Sequence, residues 1–393
     1  MNSQQAQRNI TLAYFIIAFK NGLLWIGIWI FYYSRFGGYK AVGILEATMA
    51  ITSILAEIPT GAIGDLIGKK KAILIAFILE TITQVWMGIA PNLTHMILSL
   101  VVMNIGGALF SGTYEALIYD TLKEVNQTQR YKRILGNTKT IVLIVWSMCG
   151  VASGFLYKIS PGLPFILTGI VQFFGIVATI FLIEPKIDTQ KFTIKSFFIQ
   201  NMQGFKQLLG KKATRKITIG LILIGIITMI VYEGYNDILA VEVGFNPQQL
   251  GIMTTIVSIS GAISMYFLVR WTEKYSNNLV LIISSLIFAL TLLIAPISGI
   301  VLGGIGLIIR YILDPLINNE FSDCINKRID SAHRATSIST FDMLRTIPYI
   351  FFILLLGYVS DVISPLIIGA ILGGILILFI GINLILQREQ KTS

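Results

Sequence analysis

Long apolar segments recur along the whole chain, and they limit the folds open to it more than any other feature. A helix needs about 20 apolar residues to cross the hydrocarbon of a bilayer, and twelve segments of roughly that length can be recognised. Only 13% of the residues are charged, whereas a soluble domain carries about 25%. These charges are too few to cover the water-facing surface of a soluble protein of 393 residues. The chain is therefore predicted to be an all-α integral membrane protein.

The twelve predicted transmembrane helices form two groups of six. Their limits are 11–33, 41–63, 72–90, 95–121, 138–158, 163–183, 217–240, 249–269, 279–295, 297–322, 341–359 and 364–386. The longest hydrophilic stretch divides the two groups. We therefore predict an N-terminal six-helix bundle over residues 1–183, a cytoplasmic linker over 184–216 and a C-terminal six-helix bundle over 217–393.

The linker combines eight basic and two acidic residues with apolar side chains at helical spacing. The apolar positions are Ile194, Phe198, Met202, Phe205 and Leu209. Residues spaced in this way share one face of a helix, a pattern that predicts an interfacial helix on the inner leaflet. A simple tether between the two bundles is the alternative.

Basic residues determine the predicted orientation in the membrane. With a cytoplasmic N-terminus, 24 of the 30 lysines and arginines fall on the cytoplasmic side. Only Arg35, Lys40 and Lys158 fall outside, and Lys20, Arg310 and Arg345 lie within spans. This distribution follows the positive-inside rule. Both termini are therefore predicted to be cytoplasmic, in the cell (inner) membrane. The net charge of +10 then reflects orientation, and nucleic-acid binding is not needed to explain it.

The two halves of the chain also resemble each other. A shift of 208 residues aligns Gly251 with Gly43, in LGIMTTI and VGILEAT, and aligns Glu273 with Asp65. The matched positions occupy equivalent places in the predicted topology. Repeated bundles with a substrate site between them are typical of secondary transporters.

The loop after the second predicted helix carries small, acidic and basic residues in a fixed order. Residues 57–71 read EIPTGAIGDLIGKKK. This stretch resembles the signature loop of the major facilitator superfamily; the matching residues are Gly61, Gly64, Asp65, Gly68, Lys69 and Lys70. The resemblance implies two six-helix bundles that work by alternating access. It also implies that Asp65 helps to hold the cytoplasmic side closed, with Arg130, Arg133 or the start of the eleventh helix as its partner.

Two further stretches, SGTYEALIYDTLKE at 111–124 and RATSIS at 334–339, are similar to those of drug-exporter-like bacterial members. The similarity implies proton-coupled efflux of small amphipathic compounds. Two departures keep an alternative open. VVMNIGG at 101–107 lacks the arginine found in many proton-coupled members, and Phe155 replaces a proline common in antiporters. The alternative is proton-linked uptake of a small polar solute.

Polar and ionisable side chains within the predicted helices are the candidates for the substrate or proton pathway, because such groups are expensive in hydrocarbon and are usually functional. They are Lys20, Glu80, Asn104, Glu115, Glu233, Asp237, Arg310 and Asp314. Pairing between helices, as structural fasteners, is the alternative role. Arg345 is expected to pair with Asp342 near the inner end of the eleventh helix.

Glu115 and Lys20 give the most specific hypothesis. At 1.5 Å per residue, Glu115 lies about 10 Å and Lys20 about 15 Å from the inner ends of their helices. The family resemblance places both helices beside a central cavity, so the two side chains are expected to meet there. Glu115 is then expected to take part in coupling or in recognition of substrate charge.

The sequence argues against an enzyme. GFKQLLGKK at 204–212 departs from a phosphate-binding loop, because its glycines are one residue too far apart and Lys212 replaces the magnesium-binding Ser or Thr. His95 and His333 lie on opposite sides of the predicted membrane, and Cys149 and Cys324 fit no metal-site spacing. We expect no cofactor and no metal. The expected partners are a small-molecule substrate, protons and the bilayer, with the chain as a monomer; a channel is a further alternative.

Overall fold

Helices dominate the computed structural model, which describes residues 1–186, 194–210, 212–329 and 334–391. No strand occurs among those residues, and the predicted all-α class is confirmed. The α-helices are α1 (Ser3–Lys20), α2 (Trp29–Ser34), α3 (Gly38–Ile67), α4 (Lys69–Gly88), α5 (Leu93–Glu124), α6 (Tyr131–Ile159), α7 (Leu163–Ile180), α8 (Ile194–Leu209), α9 (Lys212–Ile230), α10 (Asn236–Glu242), α11 (Pro247–Thr272), α12 (Asn277–Leu293), α13 (Ile300–Asn326), α14 (Arg334–Ser360) and α15 (Pro365–Lys391).

Each of the twelve predicted transmembrane segments overlaps at least one of these helices. In the described part of the chain, nine helical segments are long and apolar enough to cross a membrane, and the apolar helix Asn277–Leu293 is shorter. Helix length therefore supports a multi-pass membrane protein but does not directly confirm the count of twelve crossings.

The first predicted helix, at 11–33, is interrupted, so the expectation of one continuous helix is wrong. α1 ends at Lys20 and the next helix starts at Trp29. Side chains of neighbouring helices bind the irregular segment. The Leu24 N–H donates to Thr168 Oγ1 at 2.9 Å, and Trp25 Nε1 donates to Gln84 Oε1 at 2.9 Å. Non-helical backbone at membrane depth is tolerated where protein groups bind it in this way.

The seventh predicted helix contains a π-helical turn, Val231–Tyr235, between α9 and α10. The Asn236 N–H donates to the Val231 carbonyl, one residue further back than in an α-helix. The extra residue changes the direction of side chains before the turn relative to those after it. Glu233 lies within the turn and Asp237 follows it, so these two candidate residues are not separated by one turn of a regular α-helix.

Two compact units can be distinguished by their internal contacts. The first comprises Met1–Gly37, Thr48–Phe197 and Pro247–Ser258. The second comprises Gly38–Ala47, Phe198–Asn246 and Ile259–Ser393. α3 and α11 thus contribute to both units. The domain limits predicted from the sequence, which follow topology rather than contacts, stay a prediction.

Both units contain the same pattern of neighbouring helices. In the first unit, α4 packs against α5 and α7, and α7 packs against α1. In the second unit, α12 packs against α13 and α15, and α15 packs against α9. In each half the third predicted span therefore contacts the fourth and sixth. The shift of 208 residues found in the sequence carries Lys69, the first residue of α4, onto Asn277, the first residue of α12.

The linker forms a helix, α8, as its apolar spacing predicts. Gly204 and Leu208 are buried, and a Cβ on Gly204 would lie 2.1 Å from Thr340 Oγ1 of α14. α8 therefore packs closely against α14. Met202, on the predicted apolar face, is 69% exposed. Contact of that face with the inner leaflet stays a prediction.

Candidate functional site

A cavity of about 410 Å³ lies in the second unit, between the π-turn, α13 and α14. Its wall carries three carboxylates, those of Glu233, Asp314 and Asp342, and one guanidinium, that of Arg345. With all four groups ionised, the wall has two negative charges in excess. Small-molecule sites usually have volumes of roughly 300–1,000 Å³. The cavity is therefore large enough for a small ligand, and its charge favours a cation.

Aromatic rings form much of the apolar wall. Tyr232, Phe321 and Phe341 line the cavity, and the rings of Phe321 and Phe341 have centroids 5.6 Å apart. The guanidinium carbon of Arg345 lies 5.3 Å from the Phe321 centroid and 4.9 Å from the Phe341 centroid. These distances are typical of cation–π contacts. The aromatic wall of the cavity thus already contacts one cationic group, the guanidinium of Arg345.

Hydrogen bonds hold the polar groups of α13 and α14. The Asn318 amide donates to Asp314 Oδ2 at 2.8 Å and accepts from Arg345 Nη1 at 2.7 Å. Arg345 Nη2 also lies 2.5 Å from Asp342 Oδ1, which confirms the predicted pair. The two acids differ in exposure, because Asp314 is buried and the Asp342 side chain is 53% exposed. The guanidinium thus contacts the solvated acid directly and the buried acid through Asn318.

The other two candidates of the second half do not line this cavity. Arg310 is 3% exposed; its Nε donates to Asn236 Oδ1 at 2.5 Å and its Nη1 to Thr291 Oγ1 at 3.3 Å. The Tyr311 hydroxyl donates to Asp237 Oδ1 at 3.5 Å. Arg310 and Asp314, one turn apart on α13, therefore have separate partners. The structure thus places Glu233 and Asp314 at the cavity, whereas Arg310 and Asp237 are not among its lining residues.

A buried ion pair lies in the first unit. Lys20 Nζ is 2.6 Å from Glu80 Oε1, with the two side chains 22% and 1% exposed. The Gln172 amide donates to Glu80 Oε2 at 3.3 Å, and the ammonium lies 5.4 Å from the Phe110 ring centroid. Lys20 is the last residue of α1, so the interruption of the first helix begins directly after this pair. Lys20 and Glu80, two of the candidates for the substrate or proton pathway, thus form an ion pair with each other.

The expected meeting of Lys20 with Glu115 is wrong in this structure. Glu115 is exposed, and its Oε2 accepts from the Tyr131 hydroxyl at 3.5 Å. Asn104, on the same helix, donates to the Met49 carbonyl at 3.5 Å. The depth estimate was compatible with a contact, but depth along a helix does not say which way a side chain points. A role of Glu115 in coupling stays a prediction.

The signature-like loop is partly described. For residues 57–65, which include Gly61, Gly64 and Asp65, only the helical backbone is described, so the predicted contact of Asp65 lies outside what the structure describes. Gly68 is the N-cap of α4 with φ +91°, and the backbone N–H groups of Lys69 and Lys70 each donate to the Glu184 carboxylate at 2.7 Å.

Lysine side chains add further contacts at this helix start. Lys69 Nζ lies 2.5 Å from Oδ2 of Asp120, which is fully buried, and Lys70 Nζ donates to the Ile180 carbonyl at 2.7 Å. The paired basic residues therefore bind α5 and α7 within the first unit. Arg130, a predicted partner of Asp65, donates to Gln127 and Gln7.

Sequence reasoning missed several buried polar residues. Glu46 is 9% exposed and accepts from the Tyr349 hydroxyl at 3.3 Å. Asp120 and Asn236 are fully buried as well. A charged residue within the second and fourth apolar segments was a sufficient signal for Glu46 and Asp120. Asn236 is uncharged, and its contact with Arg310 required the packing of α10 on α13.

The family model of the Major Facilitator Superfamily matches residues 10–309. The chain belongs to this superfamily. The match includes the signature-like loop and both predicted bundles in part. The chain is therefore a multi-pass membrane protein of a family of transporters, and its family and fold are not those of an enzyme.

Curated relatives are distant. An uncharacterised MFS-type transporter, YxaM of Bacillus subtilis (strain 168), is 22% identical over 267 residues, which cover 66% of this chain and 65% of that protein. The quinolone resistance protein NorA of Staphylococcus aureus (strain MSSA476) is 22% identical over 297 residues, which cover 73% and 74%. The match to the first of these relatives thus spans slightly less than two thirds of its length.

Solved structures share the fold over almost the whole chain. The nucleoside transporter NupG superposes with a TM-score of 0.77 at 16% identity and covers 100% of this chain and 99% of its own. The POT family transporter PepTSo superposes with a TM-score of 0.74 at 10% identity, with the same coverage. At these identities the likeness shows the fold alone.

Proposed function

We propose that this transporter exports small amphipathic compounds carrying a positive charge and that protons drive the export. The observation that carries the proposal is the cavity of the second unit, whose wall combines aromatic rings with an excess of negative charge. Aromatic faces and carboxylates together bind organic cations. A distant relative named for quinolone resistance supports export rather than uptake.

Competition for the same carboxylates would couple the substrate to protons. Glu233 and Asp314 both line the cavity. Their ionised forms stabilise a bound cation, and their protonated forms do not. Substrate and protons then exclude each other from the cavity, so that each conformational cycle carries one in one direction and the other in return. Proton coupling therefore requires no cofactor.

The net charge moved in each cycle determines whether the pH difference alone, or the pH difference together with the membrane potential, drives export. Exchange of one proton for one monovalent cation moves no net charge, so only the pH difference drives it. Exchange of two protons adds the membrane potential, about 2.3 kcal/mol per charge at 100 mV. At about 1.4 kcal/mol per decade, that energy supports roughly a 50-fold concentration ratio.

Everted membrane vesicles test the direction and the charge preference. An acidic lumen is imposed, and three compounds of matched shape are offered: an aromatic monocation, its uncharged analogue and its carboxylate analogue. We expect the monocation to accumulate in the lumen and a protonophore to abolish its accumulation. Protonophore-sensitive accumulation of a polar solute in right-side-out vesicles would instead support uptake. Non-saturable flux of all three compounds would indicate a channel.

Matched acid-to-amide variants test the cavity. Glu233→Gln and Asp314→Asn keep the shape of the side chain and remove its charge, and both should reduce gradient-driven accumulation at least tenfold at equal protein abundance. Asp323→Asn is the control, because Asp323 lies on the same helix as Asp314 with its side chain 51% exposed. It should retain transport within twofold of the parent. Equal transport by all three variants would refute the assigned cavity.

A further inference from the structure

The π-turn that contains Glu233 is hydrogen-bonded at its C-terminal end to Arg310, a buried arginine of α13. Asn236 closes the turn through its N–H bond to the Val231 carbonyl. The side chain of the same residue accepts from Arg310 Nε at 2.5 Å. One residue thus joins the irregular backbone to α13.

The guanidinium has only neutral partners among the described residues. Besides Asn236 it contacts Thr291, through Oγ1 at 3.3 Å and the carbonyl at 3.5 Å. None of the ion pairs in the described part of the chain includes Arg310. Burying a charge without an opposite charge costs free energy. If position 310 served packing alone, a neutral side chain of the same length would therefore be more stable there than arginine.

Tyr311, the residue after Arg310, contacts one residue within the turn and one residue that follows it. The Tyr311 ring lies 5.2 Å from the ring of Tyr232, which belongs to the turn and lines the cavity. Its hydroxyl contacts Asp237, which follows the turn. Two adjacent residues of α13 therefore contact the start and the end of the π-turn.

We propose that Arg310 is a positioning residue that holds the π-turn, so that Glu233 lines the cavity while Asn236 faces α13. In a regular α-helix, Glu233 and Asn236, which are three positions apart, would lie on nearly the same face. The bond from Arg310 to Asn236 opposes a rearrangement to a regular helix, and a charge-assisted bond is stronger than a neutral one. The inference rests on the proposed function only for the role of Glu233 in binding the cationic substrate and protons.

Thiol labelling measures the direction of residue 233 without any transport. In full-length protein with Cys149→Ser and Cys324→Ser, Glu233→Cys is reacted with a cationic methanethiosulfonate, and the rate is followed by mass shift. Adding Arg310→Gln should slow this reaction at least fivefold. Ser322→Cys is the matched position, because Ser322 lines the same cavity from α13. Its rate should stay within twofold. Asn236→Asp, which keeps a bond to Arg310, should leave the rate at position 233 unchanged.

An unchanged rate at position 233 in Arg310→Gln would overturn the proposal, and so would equal slowing at positions 233 and 322, since the whole cavity would then have changed. If Arg310→Gln does not fold, the labelling rate at position 233 is measured in Asn236→Ala instead, and an unchanged rate in that variant overturns the proposal. Normal export by Glu233→Gln would refute the proposed function and leave the labelling result standing. The two failures are therefore distinguishable.

Discussion

At the scale of single residues, the ion pair between Lys20 and Glu80 is the contact that bears most on the roles of these two side chains. Lys20 was expected to meet Glu115, yet its ammonium lies 2.6 Å from Glu80. Pairing as a fastener and a role in transport are both compatible with that contact. They differ in what the loss of each partner does to stability.

Removing one partner of the pair should destabilise the protein. In Glu80→Gln, the Lys20 ammonium loses its counter-charge inside the bundle, and breaking a buried pair from one side costs about 3–5 kcal/mol. The double variant Lys20→Met with Glu80→Gln should recover most of that loss. Thermal unfolding of the purified protein in detergent measures both. A double variant no more stable than Glu80→Gln would contradict the pairing.

Glu115→Gln is the matched control for that measurement. The same chemical change is made at an exposed carboxylate whose neighbour is Tyr131 at 3.5 Å. We expect its melting temperature to equal that of the parent. If Glu115→Gln destabilises as much as Glu80→Gln does, Lys20 depends on Glu115 and the structural assignment is wrong.

The start of α4 carries a prediction at the scale of an element. Gly68 has φ +91° and ψ 152°, a region that side chains rarely adopt, and a Cβ there would lie 3.3 Å from the Glu184 carboxylate. Gly68→Ala should therefore destabilise by about 1–3 kcal/mol. Gly112→Ala, in the interior of α5 with open space around it, should be neutral or stabilising by up to about 1 kcal/mol. Equal effects on the melting temperature would contradict this account.

Apolar length located the helices well, because burial in hydrocarbon acts over some 20 residues at once. It missed the interruption after Lys20 and the π-turn at Val231–Tyr235, since both depend on single side chains of other helices: Thr168 and Gln84 at the first, Arg310 at the second. The same limit applies to the site. Ionisable residues within spans were recognised one by one, but which of them share the cavity depends on packing between helices.

Orientation is the first prediction at the scale of the whole molecule. Single cysteines at Ser3, Thr189 and Ser393 in a cysteine-free background should resist an impermeant thiol reagent in intact cells, because the basic residues place all three on the cytoplasmic side. Val362→Cys, in the loop before α15 and 86% exposed, should react. Labelling at any of the first three positions would reverse the proposed orientation.

Exchange of protons for a cationic substrate is the central claim, and proton release on binding tests it most directly. The purified protein is placed in weakly buffered detergent with a pH indicator, and an aromatic monocation is titrated in while its binding is followed by equilibrium dialysis. Protons should be released in proportion to the bound cation, and Glu233→Gln combined with Asp314→Asn should release none. Saturable binding to the parent protein without proton release would contradict the account.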